Sequence, residues 1–507
     1  MLDAFWSRLK SGTDIRGVAD AGAGNTVNLT DDTVRRIGAG FALWLAHAAN
    51  VPCGQLTVAV GHDSRISAGR ISTVFMQVLE RAGVTVLDCG LASTPSMFFA
   101  VEEFGCHGAV EITASHHPFD RNGFKFFTKN GGLNSGDITQ ILEYAQSNAL
   151  PPAAQGRITA CNSMERYCDR LQQMILQGVG AKYGQKPLAG FHILVDAGNG
   201  AGGFYAQQVL KPLGADIAGS QFLEPDGMFP NHVPNPEDEQ AMESVCMATL
   251  AAGADLGVIF DTDVDRGGAV DSNGREINRN RLVALASAIA LARCPGGTIV
   301  TDSTTSDGVH TFIEQHLGGR HHRFRRGYKN VINEAMRLNE QGIASPLAIE
   351  TSGHAAFAEN HFLDDGAYLI TKIIIEAVKL KKQGRQLQNL LQKLREPAET
   401  VELRLPVTEP DFHACGERII AQLTAYAREQ SGWEIAPHNY EGIRCSCGGN
   451  CANGWFLLRL SVHDPIMPLN IESDETGGAR MIARQLAAFF EGCTGLDTRP
   501  LFRFISQ

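Results

Sequence analysis

Cysteine is scarce in this sequence: twelve residues among 507, far from the density of a disulfide scaffold. A membrane-spanning run is also missing. The stretch 282–292, 11 residues between Arg281 and Arg293 and apolar but for Ser287, is too short and reads as a core helix. The opening segment MLDAFWSRLKSG lacks the basic head and long apolar stretch of a signal peptide. These gaps predict reduced thiols and a soluble, cytoplasmic protein with no membrane partner. An excess of basic charge is missing too. Forty-four Lys and Arg against 55 Asp and Glu leave a net charge of −11, which argues against a sequence-blind nucleic-acid binder. An anionic substrate would need a local basic pocket working against the global field.

What is present is ordinary globular composition, 44% apolar and 20% charged, which excludes disorder along the whole chain. The 54 glycines show no collagen period and point to tight turns and loops near ligands. At roughly 150 residues per domain, the length implies about three or four domains. Three segments share one local grammar: LTVAVGHDSR (56–65), FHILVDAGNGAGG (191–203) and GTIVTDSTTSDG (297–308). In each, a β-rich run ends in a small polar loop with an Asp, and a helix-compatible segment follows. Breaker-rich stretches at ALPPAAQG (149–156), Asn278–Asn280 and LREPAET (394–400) separate the units. The fold expected is α/β: three related domains with mixed sheets at 1–152, 153–280 and 281–395. A smaller C-terminal α+β domain follows at 396–507, and the four surround a central cleft.

Four loops carry chemistry. DTDVDRGG places Asp261, Asp263 and Asp265 just after the apolar strand LGVIF. Three alternating carboxylates there converge on one hard divalent ion, because unpaired buried charge is very costly. An EF-hand is excluded, since Arg266 stands where that loop needs Gly and Ser272 where it needs Glu. Arg266 is placed to bind a phosphate oxygen beside the metal. In GAVEITASHHPFDRNGFKFF (108–127), Ser115 stands beside His116 and His117, and Gly123 is expected to turn the chain so that Lys125 returns. That grouping suggests a nucleophile with acid/base or electrostatic help. AIETSGHAAF (348–357) offers Glu350, Ser352 and His354 for vicinal sugar hydroxyls. EGIRCSCGGNCANGWFLLRL (441–460) offers Arg444, Ser446 and the pair Gly448 and Gly449 as an Arg clamp with a backbone nest for phosphate. A structural zinc at Cys445, Cys447 and Cys451 is the alternative there, though C-x-C-x₃-C is unlike the usual paired spacing and lacks an obvious fourth ligand.

These four loops, in this order, resemble the α-D-phosphohexomutase family, in its phosphomannomutase/phosphoglucomutase-like branch, over nearly the whole chain. TASHHP resembles the family's phosphoserine loop, DTDVDR its magnesium loop, ETSGH its sugar loop and the Arg444 segment its phosphate loop. SGTDIRG (11–17) resembles the N-terminal motif that brings Arg16 to the active site. The sequence departs from the pattern at Thr262 and Val264, where small residues are usual, and at His117, where Asn is usual. RRGYKN (325–330) replaces the expected loop, with Tyr328 and Lys329 assigned to substrate, and GGNCAN is inserted in the last loop. The resemblance implies that Ser115 carries a phosphoryl group and exchanges it with a hexose 1- or 6-phosphate through a bisphosphorylated sugar. One Mg2+ would be held by Asp261, Asp263, Asp265 and the Ser115 phosphate, with hexose 1,6-bisphosphate as activator. Arg16, Arg266, Lys125 and His116 would serve catalysis, with Lys125 or His354 acting on the hydroxyl proton. The expected partners are hexose phosphates of mannose or glucose, and the expected assembly is a monomer or homodimer. Three rivals remain: an NAD-dependent oxidoreductase from Gly198, Gly200 and Gly203 in G-x-G-x-x-G spacing, a non-catalytic sugar-phosphate-binding protein, and a phosphatase using the same metal site.

Overall fold

The computed structural model describes residues 1–22, 24–449, 452–461 and 464–507. The three strand-and-loop segments all form strands: Thr57–His62, Ile193–Asp196 and Thr298–Asp302. Each is followed by a loop at its carboxyl end. The first belongs to an eight-stranded mixed sheet in the order 10–11, 14–18, 121–128, 108–112, 57–62, 85–91, 157–160, with 131–132 paired to 121–128. Strands 108–112, 57–62, 85–91 and 157–160 run parallel, while 14–18 and 121–128 pair antiparallel. The strand Arg157–Ala160 adds to this sheet beyond residue 152, because Gly156 N donates to Glu80 O after the Pro151-Pro152 break and turns the chain back along Thr85–Leu91. The helix Asp31–Ala49 covers one face. Thr30 caps it, Asp31 and Asp32 oppose its dipole, and Val34, Ile37, Phe41 and Leu45 form the buried stripe. Phe41 stacks on Phe126 at 4.7 Å between ring centroids, and Phe75 meets Phe124 at 5.1 Å, so aromatic contacts join helix to sheet.

The second sheet is short: 276–277, 267–271, 256–260, 193–196. Its strands Leu256–Phe260 and Gly267–Asp271 are buried throughout, and the turn between them carries the aspartates. The third segment contributes the parallel strands 320–324, 298–302 and 347–349. The last domain is an antiparallel sheet in the order 399–406, 466–473, 454–458, 443–447, 433–435, with helices Phe412–Glu429 and Gly478–Phe490. Three α/β domains and a C-terminal α+β domain are thus in place.

Packing divides the chain into two compact units: Met1–Ile289 with Ser352–Leu391, and Ala290–Thr351 with Gln392–Gln507. The stretch 281–395 is therefore shared between them. Its helix Gly366–Lys382 packs within the first unit, where Tyr205 Oη and Thr371 Oγ1 lie 2.7 Å apart and Tyr167 Oη donates to Asp365 at 2.6 Å. No helix among the described residues is long and apolar enough to cross a membrane.

Candidate active site

The first unit assembles its site from loops at strand ends. Strand Gly108–Ile112 delivers Ser115 into a turn where its φ is 51°, a left-handed conformation that non-glycine residues adopt only when their surroundings enforce it. Its Oγ donates to Asp261 Oδ2 at 3.2 Å, lies 3.3 Å from His116 Nδ1 and receives Arg266 Nη2 at 3.4 Å. Arg266, 1% exposed, also donates from Nε to Asp261 Oδ2 at 3.0 Å and from Nη1 to Asn235 Oδ1 at 2.9 Å. Arg16 extends from strand Asp14–Val18, paired to Asp14 at 2.8 Å and directly across from Gly123.

Gly123 makes no turn. It lies within strand Arg121–Thr128, where an added Cβ would stand 2.1 Å from Ile15 O and 3.0 Å from Thr113 O. Its missing side chain lets the Arg16 strand close in. Two residues on, Lys125 Nζ bonds Asp263 Oδ2 at 2.8 Å and also Asp265 Oδ2. His117 stacks on His116 at 5.2 Å between ring centroids.

Asp261, Asp263 and Asp265 each present a carboxylate oxygen within 4.8 Å of the others, and all three are buried. The turn that gathers them places the β-branched Val264 at φ 67°, a strain of roughly 1–2 kcal/mol. Small residues are the cheaper choice there. Asp263 Oδ1 and Asp265 Oδ1 are buried without a hydrogen-bond partner, which suits a hard cation bound by oxygen. Burial and the neighbouring Asp265 carboxylate push the Asp261 carboxyl well above its ordinary range. Burial would raise Asp265 too, but Lys125, His354 and Arg266 hold it well below. His116, buried and beside Arg266, is held far below an ordinary histidine and stays neutral. His354 is the opposite case: burial alone would lower it, and the Asp364 and Asp265 carboxylates push it up to about 9. Its Nδ1 sits 2.6 Å from Asp364 Oδ2, and its backbone bridges to Arg266.

The chain matches family models for phosphoglucomutase/phosphomannomutase α/β/α domains I, II and III at residues 8–150, 165–274 and 278–397. It belongs to the phosphoglucomutase/phosphomannomutase family. It is 31% identical over 437 residues to a phosphomannomutase/phosphoglucomutase of Pseudomonas putida, covering 85% of this chain and 88% of the relative. It is also 31% identical over 481 residues to a phosphoglucomutase of Neisseria gonorrhoeae, covering 94% and 95%. The crystal structure of a phosphoglucomutase/phosphomannomutase family protein from Burkholderia thailandensis superposes with a TM-score of 0.79 at 26% identity, over 98% of this chain and 100% of that one. Membership makes the chain a phosphohexomutase, an isomerase by class.

The family also displaces the dinucleotide reading, and the packing agrees. A Cβ on Gly200 would lie 2.7 Å from Thr262 O, and one on Gly203 2.1 Å from Leu223 O, while Gly198 adopts φ 53° against Pro234. These glycines admit the chain's own backbone and leave no cradle for a pyrophosphate.

In the second unit, Glu350 is buried and accepts Gly327 N at 2.6 Å, so the sugar-loop carboxylate braces the RRGYKN turn. Tyr328 and Lys329 start the helix Tyr328–Glu340. Ser352 is buried in the first unit. The Arg444 segment is built differently from the clamp expected. Arg444 donates to Ser303 O and Asp307 Oδ1, both at 2.9 Å, and its guanidinium lies 3.5 Å from the Trp455 ring centroid. The N–H of Gly448 goes to Gly432 O, which takes that donor out of a backbone nest. Ser446 and Gly448 line a cavity of about 410 Å³ shared with Asp307, Glu434 and Glu472, an acidic surround unsuited to phosphate. Cys445 and Cys447 are buried in the apolar core of the last domain, and burial pushes the Cys445 thiol up to about 12; Cys451 lies outside the described residues. Glu441 accepts Ser303 Oγ at 2.7 Å and the Arg326 backbone N–H at 2.9 Å, and stands 3.6 Å from the Arg459 guanidinium. Arg459 is 9% exposed and its Nε has no hydrogen-bond partner among the described residues.

Several residues of these networks carry no signal in a single sequence. Thr94 donates to Asp263 Oδ2 at 2.6 Å, Asp364 orients His354, and Arg65 holds the serine loop from behind.

Proposed function

We propose that this phosphohexomutase interconverts hexose 1-phosphate and hexose 6-phosphate, of mannose and glucose, with Ser115 as the phosphoryl carrier. The observation that carries the reading is the Ser115 hydroxyl set between Asp261, Arg266 and His116, in a chain whose relatives include a phosphomannomutase/phosphoglucomutase. In the first half-reaction the phosphoryl group leaves Ser115 Oγ for a sugar hydroxyl, whose proton passes through Lys125 to the freed Ser115 oxygen, giving a bisphosphorylated sugar. In the second, the other phosphoryl group returns to Ser115 and the sugar oxygen recovers a proton. His354, held protonated by Asp364, suits the proton-donating half. Neutral His116 offers Nδ1 to Arg266 and orients that cation toward the serine. Arg16 and Arg266 stabilise the anionic group in flight, and positioning supplies most of the remaining acceleration. Asp261, Asp263 and Asp265, with the Ser115 phosphate, would hold magnesium, which when bound supplies neutralisation of charge on the transferring group. Arg326, Lys329 and Arg459 would hold the phosphate that is not reacting, with Glu350 and Ser352 reading sugar hydroxyls.

A coupled assay on mannose 1-phosphate, glucose 1-phosphate and glucosamine 1-phosphate, with a trace of hexose 1,6-bisphosphate, tests the reading. Turnover of the first two to their 6-phosphates is expected. Release of inorganic phosphate without any isomer would mean a phosphatase.

A further inference from the structure

We propose that Arg65 is the positioning residue that sets the Ser115 turn; the inference rests on Ser115 being the phosphoryl carrier. One guanidinium collects four backbone carbonyls of the serine loop. Its Nη1 donates to Pro118 O at 2.7 Å and Arg121 O at 2.9 Å, and its Nη2 to His117 O at 2.6 Å and to Ser115 O. The remaining donor, Nε, pairs with Asp63 Oδ2 at 3.2 Å, and Asp63 Oδ1 accepts the Arg65 backbone N–H at 2.9 Å. Both side chains are fully buried, so water offers none of these groups a substitute. The Phe229 ring covers the guanidinium at 5.3 Å.

The sheet makes this meeting unavoidable. His62 and Ile112 are register partners on adjacent parallel strands, so the loops that follow them emerge side by side. Arg65 is on one and Ser115 on the other. The carbonyl oxygens of Ser115, His117, Pro118 and Arg121 turn toward Arg65. That draws their negative ends behind the turn, away from the Oγ that faces Asp261 and Arg266, where a phosphate dianion must sit. It also holds Ser115 at φ 51° against its intrinsic preference, helped by Ser115 N donating to Thr113 Oγ1 at 2.8 Å. Only a planar fork with five donors reaches so many acceptors from one point. The hydrogen bonds of the Arg65 guanidinium go to backbone carbonyls of the serine loop and to Asp63, so its influence passes through the position of Ser115.

Arg65→Lys keeps the charge and loses the fork. The folded variant is expected to lose roughly 100-fold in kcat with KM for the hexose phosphate unchanged, because a misplaced carrier slows transfer and leaves substrate binding alone. Its phosphoserine should also leak to water faster relative to transfer to sugar. Arg65→Ala is expected to recover part of its kcat with added methylguanidinium and none with methylammonium. If Arg65→Ala fails to fold, the Lys variant decides. A merely structural role would reduce the fraction of active molecules and leave kcat per titrated site intact, and that result overturns the inference. So does an Arg65→Lys enzyme with wild-type kcat, provided the wild type carries phosphate on Ser115. A wild type that turns over with no phosphate on Ser115 overturns the carrier assignment first, and this inference with it.

Discussion

Ser115 holds its hydroxyl within reach of a carboxylate, a guanidinium and an imidazole. Ser115→Ala is expected to fold normally and lose nearly all mutase activity, measured as hexose 6-phosphate formed in a coupled assay. Asp263→Asn removes one of three converging charges while keeping an acceptor for Thr94. Activity should fall by orders of magnitude and magnesium titration should show weaker binding, since carboxylates supply the charge that holds the ion. His354 gives a pH dependence with a definite sign. Its folded value of about 9 lies above the ordinary range near 6.5, so its contribution to stability is full below pH ~6.5 and fades as pH rises through about 9. The stability difference between metal-free wild type and His354→Gln, from urea unfolding, should therefore shrink between pH 7 and 10. Arg444 shows what a sequence withholds. Arg next to glycines reads as a phosphate clamp, yet its acceptor is Asp307, 137 residues away along the chain. Arg444→Ala is expected to cost about 1–3 kcal/mol of stability and leave KM for hexose phosphates unchanged.

Elements explain why the aspartates were legible and Gly123 was not. Alternating carboxylates after a fully apolar strand have few uses other than a cation, so DTDVDR declares itself. A glycine between Asn122 and Phe124 declares only that something is close. Tight turns and close strand approach leave the same mark in a sequence, and here the approach of strand Asp14–Val18 is the cause. Gly123→Ala should cost about 1–3 kcal/mol, read from the urea midpoint, because the obstructing atom is the backbone oxygen of Ile15. The glycines of 198–203 repeat the lesson in a phosphate-binding disguise: strand, spacing and helix all fitted a dinucleotide, but their free space is filled by Thr262 and Leu223. Strand-loop grammar, by contrast, survives intact at all three places, since buried Val, Ile and Leu runs leave the chain no other choice.

At the scale of the whole chain, the three strand-and-loop segments carried the α/β class. The division of 281–395 was not readable, because the helix Gly366–Lys382 is apolar enough to pack on any neighbour and its partners, Tyr205 and Tyr167, lie far back in the sequence. Against the global charge of −11, Arg266 reaches the Ser115 hydroxyl and Lys125 pairs with Asp263 and Asp265 of the adjoining turn, which supplies local positive charge for an anionic substrate. The most direct measurement is the intact mass of the purified protein after incubation with hexose 1,6-bisphosphate, followed by peptide mapping. An added mass of about 80 Da, one HPO₃, should map to the Ser115 peptide and disappear on adding excess hexose 6-phosphate. Full mutase turnover with no phosphate ever present on that peptide would contradict the covalent mechanism outright.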